Sequence, residues 1–347
     1  MDINTLIQKI HDGKPVFIAE IGLNHNGNLE DALLHVEAAA KAGADAVKFQ
    51  TFVPELMVSR YADSLLSKGM EGLPGYETID FFSGLVLSMD ELKEVQKHAH
   101  LHGVVFFSAP FDVPSVELLE ALDVQLYKVA SSEVTNHGLL CEIAGTGKPV
   151  LMSTGMSTIE EVTMAVDVLL EKGNRDIVLL HCVSKYPVPA VDNNLLRIKK
   201  LVETFQLPVG FSDHNRGPMA AMGAAAAGAR VFEKHFKLRE GYKCPDAEVS
   251  VTPDEFSSYT GDVRMMIAMM GDNEEGNDLP DAQTARGARR SLYVSTTLNA
   301  GHVVKKGDIV CKRPGVGIPA YRMREYEGRK VKVTIPEDYL VREEYFE

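Results

Sequence analysis

The sequence predicts an α/β fold, a (β/α)8 TIM barrel followed by a small β-rich C-terminal domain, on three observations. Between Val16 and His235, eight short apolar, β-branched runs alternate with longer helical patterns, the signature of repeated βα units and a parallel sheet. Those units occupy roughly 250 residues, the usual span of such a barrel. Beyond about residue 290 the helical period gives way to β alternation broken by Gly and Pro, which marks a separate unit.

The strands are expected at VFIAE (16–20), AVKFQ (46–50), VVFFS (104–108), LYKVA (126–130), PVLMS (149–153), IVLLHC (177–182), PVGFS (208–212) and RVFEKH (230–235). Helical segments such as LEDALLHVEAAAKAG and TIEEVTMAVDVLLEKG lie between them, and several end at Gly43, Gly103, Gly173 or Gly228, where a left-handed C-cap is expected. A last helix runs from about Pro253 to Met270. A doubly wound open sheet is the alternative, but GLNHNG after Glu20 lacks the spacing of a dinucleotide fingerprint. The polar stretch GDNEEGNDLPDAQTARGARR reads as a connection, which places the barrel at 1–272, a linker at 273–285 and the β-rich domain at 286–347.

Composition narrows the function. Lys and Arg number 36 against 49 Asp and Glu, a net charge of −13 that repels phosphate backbones and anionic lipids, so neither nucleic acid nor a membrane is an expected partner. An anionic substrate then requires basic residues gathered in one pocket. The N-terminus has no basic start followed by an apolar core, and the four cysteines form no CxxC pair. Reduced, structural thiols in a cytoplasmic protein are therefore expected.

Barrel active sites form at the C-terminal ends of the strands. The polar residues there are Glu20, Lys48, Gln50, Ser108, Lys128, Ser131, Glu133, Ser153, Thr154, His181, Ser184, Ser212, His214, Glu233 and His235. Strand alternation puts Lys48 with Gln50, and Glu233 with His235, on one side, while Phe49 and Lys234 face the other. Lys48 and Lys128, with hydroxyls at 108, 131, 153 and 212, suit a phosphate or carboxylate. The alternatives are internal pairing of each lysine with Glu20 or Glu133, or a Schiff-base lysine as in aldolases. His214 and His235 end neighbouring strands, so their imidazoles are candidates for a divalent ion with open positions, or for ordinary structural histidines. His181 is expected to be a hydrogen-bonding barrel residue, and His25 to contact either substrate or backbone.

The motifs IAEIGLNHNG (18–27), VKFQTF (47–52), YKVASSE (127–133), STGMST (153–158), HCVSKYP (181–187), SDH (212–214) and EKHF (233–236) together resemble the sialic acid synthase family, including legionaminic and pseudaminic acid synthases. RRSLY (289–293), AGHVVKKGDI (300–309) and KRPGVG (312–317) resemble that family's antifreeze-like (SAF) domain. The resemblance implies a transferase that condenses phosphoenolpyruvate with N-acetylmannosamine or a related 2-acetamido sugar and releases phosphate by C–O cleavage. It assigns phosphoenolpyruvate to Lys48, Lys128, Ser131, Ser153, Ser184 and Ser212, and the sugar to Gln50, Glu133, Tyr186 and Asp246. It makes His214 and His235 ligands of a divalent metal, Mn²⁺ first with Mg²⁺ or Co²⁺ as alternatives, and lets Glu20 or Glu133 handle the attacking water. It also implies a domain-swapped homodimer in which Arg313 enters the neighbouring active site.

Three departures bear on the sugar. Ala109 in FFSAPFD stands where the family commonly has Thr, Asn215 and Arg216 follow SDH, and KLREGYKCPDAEVSV follows EKHF. A di-N-acetylated 6-deoxy sugar, leading to a legionaminic- or pseudaminic-type acid, therefore competes with N-acetylmannosamine. Outside this reaction, the remaining classes are a Schiff-base aldolase through Lys128 or Lys48, and an ice- or carbohydrate-binding protein with an inert barrel.

Overall fold

A computed structural model describes residues 1–59, 61–62, 79–271 and 281–347. It divides into two compact units, Met1–Gly271 and Asp272–Glu347. Eight parallel strands close the first into a barrel in sequence order: β1 Val16–Gly22, β2 Ala46–Thr51, β3 Val105–Pro110, β4 Tyr127–Val129, β5 Val150–Ser153, β6 Ile177–Cys182, β7 Val209–Asp213 and β8 Val231–His235. Each coincides with a predicted run to within two residues. A helix, α1 (Ile3–His11), precedes them. The helices following the strands are α2 Leu29–Lys41, α3 Met89–Leu101, α4 Val113–Ala121, α5 His137–Gly145, α6 Ile159–Glu171, α7 Arg197–Phe205, α8 Met219–Ala226 and α9 Pro253–Met270. Short helical turns at Pro54–Met57 and Ile79–Ser83 lengthen the connection after β2.

Local sequence sets the helix limits. α3, α6 and α9 start at capping boxes, Ser88 with Glu91, Thr158 with Glu161 and Thr252 with Glu255, in which side chain and backbone satisfy each other's free donors. The predicted C-cap glycines, Gly43, Gly103, Gly173 and Gly228, take φ of 93°, 73°, 88° and 113°.

Strand alternation divides the core. Outward residues such as Phe17, Val47, Phe106, Met152, Leu179 and Phe232 pack under the helices. Inward residues in the lower barrel, Ile18, Ala46, Val105, Phe107, Leu126, Leu151, Leu180 and Val231, join Leu6 and Ile10 of α1 in a second cluster, so the bottom of the barrel is plugged with apolar side chains. One step higher on the same inward faces the residues become Glu20, Lys48, Lys128, Ser153, Ser212 and Glu233, all buried. Burying four ionisable groups at one level is costly unless they pair or bind something.

The second unit is built on the antiparallel pair β9 (Ser291–Val294) and β10 (Ile309–Lys312). Leu292, Val294, Ile309, Tyr326, Ile335 and Phe346 centre its core. KVKVTIPEDYL (330–340), where β alternation is expected, makes only single bridges through Lys330, Val331, Ile335 and Leu340. Pro336 falls inside it and cannot donate to a ladder. The linker expected over 273–285 also needs correction: Ala282–Ala288 is a helix, α10, because AQTARGA is rich in alanine. Residues 273–280 of that linker lie outside the described residues. Among the described residues no helix is long and apolar enough to cross a membrane.

Candidate active site

The polar layer is a connected set of charges. Lys48 Nζ lies 3.0 Å from Glu20 Oε2 and 3.4 Å from Glu233 Oε2. Lys128 Nζ donates to Ser153 Oγ at 2.7 Å and lies 3.9 Å from Glu233 Oε1. Ser212 Oγ donates to Glu233 at 2.9 Å, and Gln50 Nε2 to Glu20 at 3.2 Å. These residues come from β1, β2, β4, β5, β7 and β8, and only barrel closure brings them together.

The environment separates the two carboxylates. Burial, with the charge of Glu233 added, pushes Glu20 up to about 7 against the pull of Lys48. Burial also acts on Glu233, but there Lys128 and Lys48 outweigh it and hold the carboxyl below its ordinary range. Glu20 can therefore exchange a proton near neutrality while Glu233 remains an anion. Burial, with Lys48 alongside, lowers Lys128 to about 8.

Above Lys128 the strand-end loops form a small cradle. Gly155 N donates to Ser131 Oγ at 3.1 Å. A Cβ on Gly155 would stand 2.8 Å from Ser131 Oγ and 2.7 Å from Ser184 Oγ, so glycine keeps open a space edged by two hydroxyls. Gly155→Ala is expected to close it. Overpacking of that kind costs about 1–3 kcal/mol of stability, so the melting temperature should fall, and affinity for a bound anion should fall with it as the two hydroxyls are displaced. Calorimetric titration with inorganic phosphate checks this.

The two histidines meet at the barrel mouth. Their ring centroids are 5.2 Å apart, and Tyr186 stacks on His214 at 4.2 Å and meets His235 edge-on at 5.7 Å. His214 Nδ1 bonds Val183 O at 2.8 Å, which orients the ring and frees Nε2. His235 Nδ1 is buried without a hydrogen-bond partner, 3.4 Å from Asp246 Oδ2. Burial, then the charges of His214 and the nearby lysines, holds His235 well below its ordinary value, leaving the neutral imidazole that ligates metals. Among the described residues no third His, Cys, Asp or Glu joins this pair in a set within 4.8 Å. Asn24 holds Asp246 near His235, accepting from Asp246 N at 3.1 Å and donating to Phe236 O and Ser250 Oγ.

Several expectations change. Ser108 is not at the mouth: Phe107 takes the inward position, and Ser108 faces outward to bond Thr51 Oγ at 2.7 Å. The internal lysine partners are Glu20 and Glu233. Glu133 instead accepts from Ser132 at 2.9 Å and Asn136 at 2.9 Å on the rim after β4. His25 contacts backbone, its Nδ1 accepting from Gly27 N at 3.1 Å. His181 bonds Asn193 O at 2.7 Å as a barrel residue. Lys234 faces the helices, 3.6 Å from Asp213. Arg216 is exposed and lines a cavity of about 630 Å³ with Lys237, Tyr242 and Lys243. Arg313 is exposed on the second unit. Sequence reasoning gave no role to Glu233, the anion shared by both lysines, although its parity with His235 was a signal. Cys182, expected as a reduced structural thiol, is free and buried, with Sγ 3.9 Å from His214 Nδ1. Asn24 carried no signal.

Comparison with known proteins places this geometry. The NeuB family model matches residues 35–275 and the SAF domain model residues 289–347. N,N'-diacetyllegionaminic acid synthase of Campylobacter jejuni is 35% identical over 332 residues, covering 95% of this chain and 99% of that protein. Pseudaminic acid synthase of the same species is 34% identical over 326 residues, covering 93% and 94%. Among solved structures, the N-acetylneuraminic acid (sialic acid) synthetase of Leptospira borgpetersenii superposes with a TM-score of 0.70 at 30% identity, covering 78% of this chain and 90% of that one. The chain belongs to the NeuB family and carries a C-terminal SAF domain.

Proposed function

We propose that the chain is a nonulosonic acid synthase that condenses phosphoenolpyruvate with a 2-acetamido sugar aldehyde and releases phosphate, a transferase reaction. The observation that carries this reading is the pair of buried lysines beneath the Ser131, Gly155 and Ser184 cradle, with two imidazoles beside it at one barrel mouth. The names of the three relatives above, for legionaminic, pseudaminic and N-acetylneuraminic acids, support it.

In this reading Lys48, Lys128, Ser131, Ser153, Ser184 and Ser212 hold the phosphate and carboxylate, while Gln50, Glu133, Tyr186 and Asp246 face the sugar. His214 and His235 fit a divalent ion, Mn²⁺ before Mg²⁺ or Co²⁺, which when bound supplies Lewis-acid polarisation of the aldehyde oxygen. Carbon 3 of phosphoenolpyruvate bonds to the aldehyde carbon, whose π pair moves to its oxygen and takes up a proton to give the hydroxyl, and water adds at carbon 2. Glu20, with its pKa near 7, takes the proton from that water. Phosphate then departs with the bridging oxygen, leaving the carbonyl at carbon 2. Lys128 and Lys48 stabilise the departing phosphate, and Glu233 keeps both ammonium groups aimed.

For the sugar, a di-N-acetylated 6-deoxy aldehyde competes with N-acetylmannosamine, and the names of the relatives at 35% and 34% identity, for N,N'-diacetyllegionaminic and pseudaminic acids, favour it. Phosphate release from phosphoenolpyruvate with a panel of 2-acetamido sugars, with and without Mn²⁺, tests the whole reading. Release that depends on both sugar and metal is expected, and release with no sugar in the panel would overturn it.

Arg313 is proposed to act in the active site of a partner chain in a swapped homodimer. Mixing inactive His235→Ala and Arg313→Ala proteins should then restore activity, since one site of each heterodimer is intact. No recovery after subunit exchange would exclude the swap.

A second reading, a Schiff-base aldolase, is favoured by the lowering of Lys128 to about 8. Borohydride trapping with pyruvate separates the two, since the proposed reaction leaves no covalent adduct on Lys128.

A further inference from the structure

On the helical layer, away from the mouth, three metal-ligating side chains converge without a role in the reaction. Glu37 lies on α2, and His98 and His102 lie one turn apart at the end of the adjacent α3. The spacing of four puts both imidazoles on one helix face, with ring centroids 4.5 Å apart. The ligand atoms of all three residues fall within 4.8 Å of one another. His98 Nε2 is buried and has no hydrogen-bond partner, the kind of orphaned group that requires an explanation. Among the described residues no other His, Cys, Asp or Glu side chains converge in this way.

We propose that Glu37, His98 and His102 form a site for a Zn²⁺-class ion that cross-links α2 to α3. Two imidazole nitrogens and one carboxylate oxygen are a borderline-soft donor set that suits Zn²⁺ or Co²⁺, with water at the fourth position. Tetrahedral ligation at about 2.0–2.2 Å draws donor atoms to roughly 3.5 Å from one another, a contraction within the reach of side-chain rotation at a partly exposed site. Glu37 now pairs with Lys41 one turn along α2, and the Lys41 side chain is 70% exposed, so it can swing into solvent. The site is remote from the chemistry. His102 stands three residues before the start of β3, at the base of the barrel, whereas Glu20 and His235 stand at the opposite strand ends. The ion would tie together two helices that pack on neighbouring strands.

The test is a count of tightly retained metal on the full-length protein. Wild type is loaded with Co²⁺ or Zn²⁺, dialysed and analysed for metal per chain, alongside His98→Gln/His102→Gln and His235→Ala. The helical-site variant should lose one equivalent while keeping its circular dichroism and its phosphate release. The barrel-mouth variant should lose a different equivalent together with activity, so failure of either site is seen separately. Lys41→Met should tighten Zn²⁺ binding about twofold to fivefold, by removing an exposed competing ion pair. An identical metal count in wild type and in His98→Gln/His102→Gln would overturn the proposal.

Discussion

Replacing Lys128 by Met should lower kcat/KM for phosphoenolpyruvate by roughly a thousandfold. The Lys128 ammonium group is buried, donates to Ser153 Oγ at 2.7 Å and faces Glu233 at 3.9 Å, so it supplies fixed charge where water is excluded. Removing one preorganised donor to developing charge costs about 2.7–4 kcal/mol of transition-state binding, and each 1.36 kcal/mol is about tenfold in rate. The same substitution strands Glu233 beside Lys48 alone, so the melting temperature should fall as well. Lys128→Met/Glu233→Gln separates the effects: removing both partners should recover much of the stability and little of the activity. Recovery of activity in that double variant would assign Lys128 a purely structural role. Steady-state kinetics and thermal denaturation on the three proteins measure both quantities.

His235→Ala should abolish metal-dependent turnover while leaving the fold intact. The ring ends β8, its Nδ1 has no hydrogen-bond partner, and its surroundings hold it neutral. Truncation therefore removes a donor atom and breaks no bond that supports the barrel. Loss of Lewis-acid assistance is worth several kcal/mol, or about a thousandfold at 1.36 kcal/mol per decade. Added Mn²⁺ should not rescue the variant. Phosphoenolpyruvate affinity should change little, because Lys48, Lys128 and the cradle remain. A variant that turns over at the wild-type rate would remove His235 from the site.

What the sequence made legible was the barrel and the phase of most strands. Parallel strands with both faces buried read as apolar runs, and a polar residue near the end of such a run declares which face is the site. Lys48 with Gln50 and Glu233 with His235 share a side in the structure for that reason, and Lys234 faces the helices. The phase failed at Ser108, because Val105, Phe106 and Phe107 offer no polar contrast to fix it. Pairings across the barrel were not legible either. Glu233 on β8 meets Lys48 on β2 and Lys128 on β4, and no periodicity along one strand encodes a partner two or four strands away. Asn24 reaches Asp246 over 222 residues of sequence, for the same reason without a local trace. The helix at Ala282–Ala288 was hidden by the polar character of its flanks.

Carbon–oxygen rather than phosphorus–oxygen cleavage is the central chemical claim, and the bridging oxygen of phosphoenolpyruvate decides it. With that oxygen replaced by oxygen-18, the enzyme, a reactive 2-acetamido sugar and Mn²⁺ should release inorganic phosphate that carries the label, because water attacks carbon 2 and the bridging oxygen leaves with phosphorus. Unlabelled phosphate, with the label retained in the sugar acid at early times, would contradict it.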